Sequence, residues 1–165
     1  IGYGNEKALN QLLAHHAVIF SPEKKLVWVS SNPYQLGEFV CYDLDKIFAN
    51  NSIQPNNQET TQLNIARDPF LDTEGYKKYE EFRVQTARFD GEEVLSEDFL
   101  IQYIALNPNF WKTYYAVGKY QYLQKKYREA KANFELALTK EITTLHDRKS
   151  IEKYLNKIKK KSNER

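Results

Sequence analysis

The spacing of apolar residues changes character along the chain. Residues 5–14 read NEKALNQLLA, with Leu9, Leu12 and Leu13 at helical intervals behind Asn5, a residue suited to capping a helix start; a short helix is predicted there. His15–Phe20 and Leu26–Ser31 are instead short apolar runs rich in β-branched and aromatic residues, with Ser21-Pro22 between them. That pattern predicts a β-hairpin. After a second turn at Asn32–Gly37, Glu38–Leu44 reads as a third strand. It would carry Phe39, Cys41 and Asp43 on one face and Glu38, Val40 and Tyr42 on the other. A helical turn is expected from Asp45 to Phe48.

Residues 49–63 are polar, rich in Asn, Gln and Thr, and read as a linker or long loop. Their Asn50-Asn51-Ser52 triplet has the glycosylation pattern, for which chance is the expected explanation. From about Thr73 the period becomes that of helices. Tyr76, Tyr79, Phe82, Thr86 and Phe89 trace one face before Asp90-Gly91 breaks it. Ser96 can cap a helix lined by Phe99, Leu100, Tyr103 and Ile104, which Asn107-Pro108 stops. Trp111, Tyr114, Tyr115, Gly118 and Tyr122 mark a third helix. Tyr127, Ala130, Phe134, Ala137 and Leu138 mark a fourth. Ile151, Tyr154, Leu155 and Ile158 form a stripe on a last one. The fold class expected is α+β, mostly α: a small antiparallel meander (residues 1–48), a linker or loop (49–72), and a helical region (73–165).

Within that region, Tyr114, Val117-Gly118, Tyr127, Ala130, Phe134 and Ala137-Leu138 resemble the pattern of a tetratricopeptide repeat, a helical hairpin followed here by a capping helix. Gly118 and Ala130 would let the two backbones approach while aromatic residues fill either side. Lys125 stands where the pattern has a turn Gly, and Ile142 where it has a closing Pro. A shift of about 34 residues gives a degenerate earlier copy, with Gly91, Ser96, Leu100 and Pro108 in place but Glu80 and Val84 off pattern. The resemblance implies a peptide-binding face, onto which Tyr115, Lys119 and Tyr122 would fall. The competing expectation is that these three pack against the preceding segment of the same protein, because so short a stack forms little groove.

Composition narrows the chemistry. The chain has 165 residues, of which 14% are aromatic, enough to argue against a disordered chain. No apolar run is long enough to span a membrane, and no secretory leader is expected in this stretch. The single cysteine, Cys41, allows no internal disulfide or thiolate cluster and is expected to be a small core residue. His15 and His16 are neighbours in a strand, so at most one could face a given site, and a structural role is expected. No cofactor or metal motif is present. Net charge is +2, but Arg148–Arg165 holds 8 basic and 2 acidic residues, so the rest of the chain is acidic. That basic end is read as a capping helix with a cationic last turn, with no nucleic-acid partner expected. The chain opens on Ile1 and contains no Met, which suggests a portion of a longer protein.

The block Ala14–Phe48, through His15–Phe20, Trp28-Val29-Ser30, Pro33–Phe39 and Cys41–Leu44, resembles the C-terminal strands of the bacterial acyl-CoA:6-aminopenicillanate acyltransferase-like proteins. These are relatives of choloylglycine hydrolases within the N-terminal-nucleophile hydrolases. The resemblance implies a four-layer αββα fold and acyl transfer or amide hydrolysis through a cysteine freed at a chain terminus. Neither Ile1 nor the internal Cys41 can take that role, so no catalytic residue is assigned. The expected function is that of a C-terminal portion, structural by itself, whose partner is the upstream catalytic half. The alternative is a tetratricopeptide-like module for a peptide or protein partner. A cytoplasmic or cell-envelope location in a bacterium fits either.

Overall fold

The computed structural model describes residues 1–8, 12–49, 61–91 and 94–163. The Asn50-Asn51-Ser52 triplet lies outside them. The chain divides into two compact units, Leu9–Thr73 and a second that joins Ile1–Ala8 to Glu74–Arg165. The architecture is α+β and mostly α, a three-stranded antiparallel sheet followed by helices.

The first unit is built on strands β1 (Val18–Ser21), β2 (Leu26–Ser30) and β3 (Phe39–Asp43), in the order β1-β2-β3. Val18 lies opposite Val29, Trp28 opposite both Ile19 and Cys41, and Val29 opposite Val40. The hairpin turns where Ser-Pro predicts it. Pro22, whose ring presets φ, opens a 3-10 turn over Pro22–Lys24, and Lys25 closes it in the left-handed region (φ 53°) with its N–H on the Pro22 carbonyl at 3.1 Å. Helix α1 (Leu44–Ala49) follows β3 directly.

Part of the stretch expected to be a linker belongs to this sheet. Ile65 exchanges backbone hydrogen bonds with Phe39 at 2.9 and 3.0 Å, extending the outer edge of β3 by one bridge. The Asn64 Oδ1 accepts the Cys41 N–H at 2.9 Å, and the Leu63 carbonyl accepts the Trp28 indole N–H at 2.8 Å. Polar side chains here complete a sheet edge, a task that leaves no apolar period in the sequence.

The second unit contains α2 (Glu74–Thr86), α3 (Glu97–Leu106), α4 (Trp111–Leu123), α5 (Tyr127–Leu138) and α6 (Leu145–Asn163). Ser96 caps α3 as its sequence predicts, its hydroxyl accepting the Phe99 N–H at 3.1 Å. One contiguous core runs through the unit from Phe82 and Tyr103 through Trp111 and Val117 to Phe134, Ile151 and Ile158. Its tightest point joins α4 to α5. A Cβ placed on Gly118 would sit 3.0 Å from the Phe134 ring and 3.3 Å from the Ala130 carbonyl oxygen. Phe134 cannot readily give way, because it is fully buried and stacked on Tyr154 at 5.0 Å. Between the two helices Lys125 takes a left-handed conformation (φ 61°), the backbone that a Gly at this place in the repeat pattern would supply without strain.

The helix expected over residues 5–14 does not start in the described residues 5–8, which form turns. Asn5 begins as a cap would, its Oδ1 accepting the Lys7 N–H at 2.9 Å. Its amide nitrogen, however, donates to the Glu141 carbonyl at 2.9 Å, and the side chain is buried. Asn107 grips the same segment from the other side, exchanging hydrogen bonds with the Tyr3 backbone at 3.1 and 2.9 Å. Gly2 packs so closely on the Phe110 backbone that any Cβ would overlap it, and Gly4 turns the chain at φ 79°. Residues 1–8, placed with the meander by their sequence, are therefore a strap of the helical unit.

Candidate functional site

The three residues assigned to a partner face lie on one side of α4, at positions i, i+4 and i+7. Two of them are committed internally. Tyr115 contacts Trp111, Phe134 and Tyr154 with ring centroids 5.9, 6.1 and 6.1 Å away. Tyr122 contacts Tyr127 at 5.5 Å and Tyr154 at 5.1 Å. Burial pushes the Tyr115 phenol above its ordinary pKa, with Tyr154 and Asp147 adding to the shift. Both tyrosines pack on α6, which follows them in the chain, so the apolar stripe of α6 covers this part of α4. Lys119 is exposed.

Cys41 is fully buried in β3. Burial and then the nearby Asp43 carboxylate push its thiol upward, away from the thiolate form that nucleophilic attack needs. His15 and His16 are exposed. Among the described residues no cluster of His, Cys, Asp and Glu could hold a metal ion, and no helix is long and apolar enough to cross a membrane.

The register of the sheet sorts its apolar residues by face. Val18, Phe20, Val27, Val29, Val40 and Tyr42 share one side, and Ile19, Leu26, Trp28, Phe39 and Cys41 share the other. Along β1 the alternation fails: Val18, Ile19 and Phe20 are consecutive apolar residues and remain 46, 43 and 68% exposed. A continuous apolar run is the signature of a strand covered on both faces. Among the described residues β1 pairs only with β2, and both its faces stay partly open.

A second surface feature lies between α5 and α6. Tyr127, Arg128 and Lys131 of α5 and Ile158, Lys161 and Ser162 of α6 line a shallow open groove. It continues past Lys131 and Ile158 to Glu135, Leu155, Asn156 and Lys159. Lys161 is fixed in it, donating to the Tyr127 hydroxyl at 2.8 Å and lying over the Tyr127 ring at 4.7 Å; that hydrogen bond raises its pKa. The sequence concentrates positive charge from Arg148 onward, and Arg128 and Lys131, three residues apart on α5, join it at this groove.

No protein-family model, no curated protein and no solved structure matches this chain. Functional inference for it rests on its own residues.

Proposed function

We infer that this chain is the C-terminal portion of a bacterial acyltransferase or amide hydrolase of the N-terminal-nucleophile type. It contributes sheet and support, and the catalytic thiol lies upstream. The observation that carries the reading is the open apolar run of β1, an edge strand whose Val18, Ile19 and Phe20 call for cover on both faces. Its companion is the likeness of Ala14–Phe48 to the terminal strands of that family. In such an enzyme the nucleophile's own α-amino group acts as base, so a buried strand cysteine such as Cys41 supports packing and not chemistry.

The test has two arms. The reading frame upstream of Ile1 is expected to hold a Cys that follows a self-cleavage site, and an in-frame start codon immediately before Ile1 would overturn the proposal. The chain alone is expected to leave acyl thioester and amide substrates uncleaved. Turnover that disappears in Cys41→Ala would place the nucleophile here and contradict it.

A second reading is favoured by a separate observation: the helical unit holds its own contiguous core from Phe82 to Ile158. A region that closes its own interior can serve as a tetratricopeptide-like module that docks a peptide or protein partner.

A further inference from the structure

Arg83, Lys112, Lys126 and Lys131 each meet a carboxylate within 4 Å. The cations of α6 do not. Arg148, Lys149, Lys153, Lys157, Lys159, Lys160 and Lys161 form no ion pair among the described residues, although Asp147 and Glu152 lie on the same helix. Arg128 of α5 is likewise unpaired and exposed, and it faces the same groove as Lys131, Lys159 and Lys161. Among the described residues, Arg128, Lys159 and Lys161 along the groove have no carboxylate paired with them and repel each other, and the repulsion is relieved when a polyanion binds.

We propose that the groove between α5 and α6 docks an acidic segment of a partner protein, a peptide whose carboxylates meet Arg128, Lys159 and Lys161 while an apolar side chain rests beside the half-buried Leu155. The proposal rests on the interaction-module reading of the helical unit and is independent of the sheet. Three features select a peptide over other polyanions. The groove is concave, and the apolar stripe of α6 is turned inward onto Phe134 and Tyr115, which leaves no exposed apolar wedge to enter a bilayer. The nearby rings of Tyr122, Tyr127 and Tyr154 are occupied by one another and by Lys161, so they offer no free platform for stacked bases. Glu135 and Asn156 stand among the cations, which suits a discontinuous row of carboxylates better than an unbroken phosphate backbone.

The test is fluorescence anisotropy on the full chain at low salt with a labelled (Glu-Glu-Leu)4 peptide. An oligo(dT) strand and phosphatidylserine vesicles serve as competing probes. The peptide is expected to bind best, with affinity falling as salt rises. Arg128→Glu with Lys159→Glu is expected to weaken it at least tenfold, and Lys119→Glu to leave it unchanged. Circular dichroism checks the fold, and the neutral pair Arg128→Gln with Lys159→Gln replaces the reversal if that disturbs it. Tighter binding to oligo(dT) or to vesicles overturns the proposal, as does peptide affinity indifferent to the groove variants. Loss on Lys119→Glu alone overturns the groove but keeps the module reading, whereas no peptide binding at all removes both.

Discussion

The two units use their aromatic and branched residues in opposite ways. In the helical unit Phe82, Tyr103, Trp111, Phe134 and Tyr154 are spent on one another, in stacked and edge contacts that leave a sealed interior. In the sheet unit, Val18, Ile19 and Phe20 form the apolar run of a central strand while standing at an edge. A closed core needs no second body to hold its shape, whereas an edge strand with apolar residues on both sides is half of an interface.

Cutting into each unit sharpens that contrast, and the largest effect is expected in the helices. Phe134→Ala removes a fully buried ring from the α4–α5–α6 junction and is expected to cost about 3–5 kcal/mol in urea unfolding. Asn107→Ala strips both hydrogen bonds from the Tyr3 backbone. A loss of about 1–3 kcal/mol is expected, with faster amide exchange confined to residues 1–8. Lys125→Gly relieves a left-handed backbone and is expected to raise stability by about 1 kcal/mol, read as a higher urea midpoint at unchanged slope. In the sheet unit Phe20→Ala is expected to change stability by less than about 0.5 kcal/mol, because the ring is already in solvent.

The strap supplies the smallest and most specific effect. Burial acts to raise the Glu6 pKa, but hydrogen bonds from Lys112 at 2.7 Å and Thr143 at 2.6 Å, with the charge of Lys112, leave it lowered. A carboxylate depressed in the folded state adds stability above its unfolded pKa and loses it as pH falls through the folded one. Unfolding followed from pH 6 downward should show a loss that begins as pH enters the ordinary glutamate range and continues below it, and Glu6→Gln should flatten it. An identical pH profile in the two proteins would show that the strap bears no part of the acid response.

Local pattern made much of this fold readable. The strands begin and end within a few residues of their apolar runs, Ser96 caps α3, and Gly118 meets Phe134 and Ala130 at the predicted close approach. Each of these depends on neighbours a few positions away or on one helical hairpin. The strap was not readable, because Asn5 finds Glu141 and Tyr3 finds Asn107 across more than a hundred residues through single polar bonds that have no period. For the same reason Asn64 and Leu63 look like loop while completing the sheet. Tyr115 and Tyr122 were legible as aromatic but not as to which neighbour they met. A stripe of tyrosines suits a partner's surface and the chain's own next helix equally well, and α6 claims it.

Equilibrium unfolding of the Val18→Lys, Phe20→Lys double variant tests most directly whether the sheet face is open within this chain and awaits another surface. Open, both positions accept a charged side chain, and the free energy should stay within about 1 kcal/mol of the parent. A loss of about 3 kcal/mol or more would mean that this chain already covers Val18 and Phe20, and the account of β1 as half of an interface would be wrong.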